Sequence, residues 1–201
     1  MRHRGEVDAV SLVTKALDHD EFCLHARPIV RVGHAWRPSH VEILVRMNAP
    51  DDGAVLTPDE FLPAAERFGL AHRLDLWVVM HTLEALRRAP AITTCAINLS
   101  GVSLGRSTFL QEVSELLDAS DIDPGRVCFE ITETAAITNG GYADSFISSL
   151  RARGCRFALD DFGSGLASFA YLKNLDVDFL KIDGSFVQNI LTEEVDGAPR
   201  W

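Results

Sequence analysis

Short apolar segments alternate with amphipathic segments along this chain, and this alternation limits its fold more than any other feature. Apolar segments rich in β-branched and aromatic residues predict strands at 22–32, 41–47, 94–99, 127–132, 156–161 and 179–183. Segments with the apolar spacing of a helix are found at 58–68, 70–88, 108–119, 142–153, 166–174 and 185–191. Repeated strand–helix units predict an α/β protein with a mostly parallel sheet.

Two architectures are compatible with this order, a (β/α)₈ barrel and an open doubly wound sheet. The strands are apolar along most of their length, as expected when both faces of a sheet are covered. No GxGxxG or GxxxxGK[ST] sequence opens a helix, which disfavours the common nucleotide-binding open sheets.

Composition excludes several classes of function. The formal net charge of -10 disfavours a polymeric nucleic acid as partner, because binding along phosphates needs a basic surface. The 4 cysteines form no CxxC pair, which predicts free buried thiols in a reducing cytoplasm. The N-terminus lacks the apolar stretch of a signal peptide, and no segment has the roughly 18 consecutive apolar residues of a membrane helix.

Polar groups occur at or near the ends of several predicted strands. They are Glu42, Asn98, Glu130, Glu133, Asp160, Asp161, Lys181 and Asp183. A single strand glutamate is usually a solvated surface residue, and DDFGSG alone is compatible with an ordinary turn. In a parallel barrel, however, the carboxyl ends of all strands meet at one face, where active sites lie. The repeated pattern therefore predicts one converging site.

Several carboxylates in one place are unfavourable without cations, and Mg²⁺ or Mn²⁺ prefers carboxylate and amide oxygens. The adjacent Asp160 and Asp161 predict two metal ions, which could activate water and stabilise the leaving oxygen of a phosphodiester. Lys181 is compatible with a surface lysine, but its apolar neighbours favour a buried, paired lysine or one that orients a water.

Several blocks resemble the EAL domain, the bacterial cyclic di-GMP phosphodiesterase family of second-messenger signalling. EILVR at 42–46 is similar to the family signature, and FLPAAERFGL, INLS, FEITE, DDFGSG and LKIDGSFV follow in the family's order. The resemblance covers roughly residues 15–190. It implies a (β/α)₈ TIM-barrel-like fold and two-metal hydrolysis of cyclic di-GMP to a linear dinucleotide.

The resemblance also implies a role for each matching residue. Those similar to ligands of the first metal are Glu42, Asn98, Glu130 and Asp160. Asp160 would bridge to a second metal that Asp161 also holds, and Lys181 would position the attacking water. Glu133 resembles the glutamate that anchors the DDFGSG loop, which supports dimer contacts in the family. Those similar to ligand-contacting positions are Arg46, Ser100 and Asp183.

Two substitutions depart from the family pattern. Ile43 replaces the alanine of the signature, and its side chain is expected to face the helix layer, away from Glu42. Arg27 stands where the family usually has a glutamine near the ligand. An arginine there could pair with a phosphate or repel a metal, and the sequence leaves both open.

The third departure is the short C-terminal part. After Leu191 the sequence reads TEEVDGAPRW, without the family's last two βα units, which supply a second-metal glutamate and a guanine-contacting glutamine. The expected organisation is an N-terminal extension (1–14), an incomplete EAL domain (15–191) and a short tail (192–201). A second copy or another partner chain could complete the barrel, the fold could be altered, or the sequence could be a fragment.

Three functions follow as hypotheses. The set of upstream ligands favours a cyclic di-GMP phosphodiesterase, with its second metal site weakened. The missing glutamate favours an impaired module that binds cyclic di-GMP. An exposed sheet edge would favour a protein-interaction domain.

Overall fold

The computed structural model describes residues 2–33, 39–49, 53–163 and 175–186, with side chains from residue 10 onward. The strands are β1 Phe22–Ile29, β2 His40–Asn48, β3 Val55–Leu56, β4 Thr94–Asn98, β5 Val127–Thr132, β6 Arg156–Phe162 and β7 Phe179–Ile182. The helices are α1 Arg2–Asp18, α2 Pro58–Arg67, α3 Ala71–Arg88, α4 Gly101–Leu104, α5 Phe109–Ala119, α6 Glu133–Asn139 and α7 Gly141–Ala152. Short 3₁₀ turns occur at Pro124–Arg126 and Gly184–Phe186.

The strands form one 7-stranded sheet in the order β1-β2-β4-β5-β6-β7, with β3 paired to β2. Strands β2, β4, β5, β6 and β7 run parallel, while β1 and β3 pair antiparallel with β2. The α/β prediction with a mostly parallel sheet is therefore confirmed. Among the described residues no ladder joins β1 to β7, so these two strands are the ends of the sheet.

The core lies between the helices and one face of the sheet. Phe129 of β5 contacts Phe146 of α7 and Phe157 of β6, with ring centroids 5.8 and 5.7 Å away. Ile43 is 7% exposed and belongs to this core, as the strand alternation predicted. The opposite face of the sheet carries small buried residues at its centre, Ala96, Cys128 and Ala158. Small side chains there leave room for the longer polar side chains that follow them along the strands.

The start of α2 matches its sequence prediction closely. Pro58 is the first helical residue, and the Thr57 backbone N–H donates to Glu60 Oε2 at 2.8 Å. The structure adds elements that periodicity did not predict, namely α1, α4, α6 and β3. The predicted boundary at residue 14 falls inside α1, and the domain limits remain predictions.

Two predicted helices fall largely beyond the described residues. The segment 166–174 lies outside them entirely. Of the segment 185–191, the described part belongs to the 3₁₀ turn Gly184–Phe186. None of the helices in the described ranges combines the length and apolarity needed to cross a membrane.

Candidate metal centre

Three carboxylates from distant parts of the chain meet on the face of the sheet that carries Ala96, Cys128 and Ala158. Glu42 of β2, Glu130 of β5 and Asp160 of β6 place ligand oxygens within 4.8 Å of one another. The parallel registers bring them together, because Asn98 pairs with Glu130 and Thr132 pairs with Asp160. Glu42 is the third residue of β2 and is not near the C-terminal end of that strand. Its pairing with Ala96 of β4 determines its position along the sheet.

Lys181 of β7 provides the cation at the centre of these carboxylates. Its Nζ donates to Glu130 Oε2 at 2.6 Å, Asp160 Oδ2 at 2.8 Å and Glu42 Oε1 at 3.2 Å. Burial by itself lowers the pKa of Lys181, but the hydrogen bonds to Asp160 and Glu130 outweigh burial and raise it. The structure therefore describes a half-buried lysine that is paired with carboxylates, and not a free surface lysine.

The pKa values of Glu130 and Glu42 are shifted in opposite directions. Burial raises the pKa of Glu130 to about 7, although the Lys181 hydrogen bond and charge act in the opposite direction. The pKa of Glu42 is lowered, because the charge of Lys181 and hydrogen bonds from Asn98, Lys181 and Arg27 together outweigh the effect of burial. Lys181 and Arg27 supply two positive charges against three carboxylates, and the oxygens of these carboxylates are the donors that a hard divalent cation prefers. The residues present therefore fit such an ion.

Glu42 also has partners on its other side. Asn98 Nδ2 donates to Glu42 Oε1 at 3.2 Å, and Arg27 donates to Glu42 Oε2. The side chains of Arg27 and Glu42 are 64% and 5% exposed. The guanidinium thus lies on a candidate ligand oxygen, and both roles considered for Arg27, phosphate pairing and repulsion of a metal, stay predictions.

Asp161 departs from simple strand alternation. Its backbone is left-handed, with φ of 54°, and the β6–β7 ladder shifts register between Leu159 and Phe162. This irregularity keeps Asp161 exposed, whereas strict alternation would direct it toward the helices together with Leu159. Burial, with the nearby charges of Asp160 and Asp183, raises the pKa of Asp161. Asp161 therefore lies close enough to Asp160, a member of the acidic cluster, to be affected by its charge.

Glu133, the first residue of α6, binds the backbone just after β6. It is 3% exposed, and its Oε2 accepts the Gly163 backbone N–H at 3.0 Å. Gly163 has φ of 95°, and a Cβ there would approach the Phe186 ring to 2.7 Å. Glu133 thus holds Gly163, the fourth residue of the DDFGSG segment, whose residues beyond Gly163 lie outside the described ranges.

The other predicted site residues do not join the carboxylate cluster. Arg46 shares the strand face of Glu42 and donates to the Val45 carbonyl at 2.8 Å. Asp183 is half-buried and accepts the Ser185 N–H at 2.7 Å. Hydrogen bonds from the Ser185 side chain and backbone lower the pKa of Asp183. The Ser100 hydroxyl donates to Glu66 Oε1 at 2.8 Å.

Sequence reasoning missed the acidic residues that support Ser100. Besides Glu66, Asp75 of α3 is buried and accepts the Ser100 backbone N–H at 3.0 Å. Its signal in the sequence is a single carboxylate within the apolar run LDLWVV. The apolar spacing predicted a helix there, but it did not indicate which groups would donate hydrogen bonds to the carboxylate.

Comparison with known proteins identifies the family. The model of the EAL domain matches residues 12–198. The chain belongs to the EAL domain family. The recognition from sequence is therefore confirmed, and the α/β architecture with its central parallel sheet is that of the TIM-barrel-like EAL fold.

Curated relatives include cyclic di-GMP phosphodiesterases. This EAL chain is 40% identical over 197 residues to the cyclic di-GMP phosphodiesterase PdeF of Escherichia coli K12, covering 96% of the chain and 26% of that protein. It is 38% identical over 189 residues to the cyclic di-GMP phosphodiesterase PdeB of Shewanella oneidensis, covering 92% and 22%. The chain thus spans about a quarter of the length of these relatives.

Solved structures of EAL domains have the same fold. The FimX EAL domain from Pseudomonas aeruginosa bound to c-di-GMP matches with a TM-score of 0.82 and 32% identity, covering 90% of this chain and 74% of that one. The PaMucR phosphodiesterase in its c-di-GMP complex matches with a TM-score of 0.81 and 28% identity, covering 92% and 76%.

Proposed function

We propose that this chain is a metal-dependent phosphodiesterase that hydrolyses cyclic di-GMP to a linear dinucleotide. The observation that carries the proposal is the cluster of Glu42, Glu130 and Asp160 around Lys181. The names of the relatives PdeF and PdeB supply the substrate and the reaction.

The proposed ligands of a first Mg²⁺ or Mn²⁺ ion are Glu42, Asn98, Glu130 and Asp160. Asp160 would also face a second ion beside Asp161. Such ions lower the pKa of a bound water and stabilise charge on the leaving oxygen. Lys181 already reaches Glu130 and Asp160, so it can donate a hydrogen bond to a water held between them.

The remaining predicted residues would act on the substrate or on the loop. Arg46, Asp183 and Ser100 are proposed to contact cyclic di-GMP, although the Ser100 hydroxyl is also used by Glu66. Arg27 would move from Glu42 to a substrate phosphate, and Glu133 would hold the loop after β6.

Binding without hydrolysis is the second candidate function. The contact between Arg27 and Glu42 favours it, because a guanidinium on a ligand oxygen competes with a metal ion for that oxygen. An impaired module of this kind would bind cyclic di-GMP, or another protein, without turnover.

Turnover separates these functions. The purified, folded chain is expected to convert cyclic di-GMP to the linear dinucleotide with Mg²⁺ or Mn²⁺ and to stop when EDTA is added, as followed by chromatography. Glu130→Gln keeps the size of a side chain that is 2% exposed but removes its charge, and is expected to abolish the metal-dependent product. Product formation that is insensitive to EDTA, or equal in Glu130→Gln, would contradict the metal-dependent reaction. Ligand binding without product would favour the second function.

Arg27→Gln is expected to tighten Mn²⁺ binding. The exposed Arg27 partner of Glu42 resembles a surface ion pair, so removing it should lower the Mn²⁺ dissociation constant by about 1.5- to fivefold. Isothermal titration measures this constant directly. Arg153→Gln, which removes an arginine bound to Asp118 on the surface, is the matched control and should leave it unchanged. Weaker Mn²⁺ binding by Arg27→Gln would show that the arginine supports the site.

Two further expectations concern assembly and location. A homodimer, or a partner chain beside the open edges of β1 and β7, stays a prediction that light scattering of the purified chain can test. A cytoplasmic location also stays a prediction. It is supported by the four free cysteines, which are Cys23, Cys95, Cys128 and Cys155.

A further inference from the structure

Asp75 is a buried carboxylate that contacts the chain just after a candidate metal ligand. It is 6% exposed, and its Oδ2 accepts the Ser100 backbone N–H at 3.0 Å and the Ser103 hydroxyl at 2.5 Å. Ser100 belongs to the turn that links β4 to α4, and Ser103 belongs to α4 itself. The carboxylate therefore joins α3 to this turn and to the helix that follows it, by one hydrogen bond each.

The same turn is held from two other sides. Glu66 of α2 accepts the Ser100 hydroxyl at 2.8 Å, and that hydroxyl also accepts the Val102 N–H at 3.2 Å as the N-cap of α4. On the side of the sheet, the Leu99 N–H donates to the Glu130 carbonyl at 2.9 Å. Contacts from α2, α3 and β5 thus fix where the turn begins.

The turn begins directly after Asn98, the last residue of β4. Asn98 donates to Glu42 at 3.2 Å, and only Leu99 separates it from Ser100. A displacement of the turn would therefore move the Asn98 side chain relative to Glu42.

Stability alone does not account for a carboxylate at this position. In the described part of the chain its hydrogen-bond donors are a backbone amide and a hydroxyl, and no cation pairs with it. Burial raises the pKa of Asp75 to about 7, which reflects the cost of keeping its charge away from water. A well-packed apolar side chain would avoid this cost but could not accept the Ser100 N–H.

We propose that Asp75 is a positioning residue that fixes the turn after β4 and so holds Asn98 in the geometry required for metal binding. The part that concerns the metal rests on the proposed function. The part that concerns the turn rests only on the contacts of Asp75.

The test compares two substitutions of Asp75. Asp75→Ala is expected to weaken Mn²⁺ binding about tenfold, the lower end of the range for residues that support metal ligands, and to speed amide hydrogen exchange in residues 98–103. Asp75→Asn is expected to retain most of the affinity, because its amide oxygen, in the place of Oδ2, can still accept both the Ser100 N–H and the Ser103 hydroxyl.

A matched control separates positioning from general stability. Leu86→Ala removes a side chain on the same helix that is 1% exposed, and it is expected to lower the melting temperature without changing the Mn²⁺ dissociation constant. If Asp75→Ala does not fold, Ser103→Ala removes one donor to Asp75 and should give smaller changes in the same direction.

Each outcome bears on one part of the proposal. Equal Mn²⁺ affinity in Asp75→Ala, Leu86→Ala and the wild-type chain would overturn the metal role. Unchanged hydrogen exchange at residues 98–103 in Asp75→Ala would overturn the role in the turn. A wild-type chain that binds no Mn²⁺ would overturn the metal part together with the proposed function, while the exchange measurement would still decide whether Asp75 holds the turn.

Discussion

Lys181→Met is expected to destabilise the metal-free chain by about 3 kcal/mol, because removing one partner of a buried ion pair leaves uncompensated charge. Lys181 is the ammonium shared by Glu42, Glu130 and Asp160, whose side chains are 5%, 2% and 21% exposed. A divalent cation would replace the lost charge among the same oxygens. Mn²⁺ should therefore stabilise the variant more than it stabilises the wild-type chain.

Urea unfolding at pH 7.5, in EDTA and in Mn²⁺, measures both effects. Lys15→Met is the matched control, since it removes an exposed lysine of α1 and should change the free energy of unfolding by less than about 0.5 kcal/mol. Turnover by Lys181→Met is also expected to fall about 100-fold or more, as for loss of a group that handles a reacting proton. A variant that is as stable as the wild-type chain in EDTA would contradict the role of Lys181 as counter-ion.

Asp75→Asn is expected to gain stability relative to the wild-type chain as the pH rises from about 4 to about 7. Over this range the unfolded wild-type chain loses the Asp75 proton, while burial keeps the folded chain protonated, with a pKa raised from 3.8 to about 7. The folded state binds more protons there, so its stability falls as the pH rises. The full difference corresponds to about 4 kcal/mol.

The asparagine carries no titratable group, so the difference between the two chains isolates this contribution. Urea unfolding in EDTA at several pH values between 4 and 8 should give a difference that changes most between pH 4 and 7 and is constant above that range. Glu130 is present in both chains, and its titration cancels in the difference. Asp118→Asn, which alters an exposed carboxylate bound to Arg153, should give a difference that varies by less than about 1 kcal/mol. A pH-independent difference for Asp75→Asn would contradict the raised pKa.

Local sequence determined much of the fold and part of the site. The alternation of strands and helices predicted the mostly parallel sheet, and Thr57, Pro58 and Glu60 predicted the start of α2. These features depend on residues close together in the chain, whose spacing fixes which face of an element they occupy. The order of the EAL blocks then identified the family without knowledge of any contact.

Tertiary structure decided which of the predicted polar residues meet. Lys181 and Glu42 are 139 positions apart, and only the order and register of the strands place the ammonium against that carboxylate. Register also determines that Arg27 lies opposite Glu42, since β1 pairs antiparallel with β2. Asp161 is exposed at a local ladder irregularity instead of packing with Leu159, which strict alternation could not predict.

Asp75 shows the same contrast between what the sequence and the tertiary structure determine. The sequence shows Asp75 as a single charge in an apolar run of a helix, and this pattern does not reveal its partner. The packing of α3 against the turn after β4 supplies that partner, the Ser100 amide 25 residues away. The sequence by itself therefore determined most of the elements, the family and most candidate ligands. Only the tertiary structure decided how their charges are compensated, because the energy of a buried charge depends on partners that are distant along the chain.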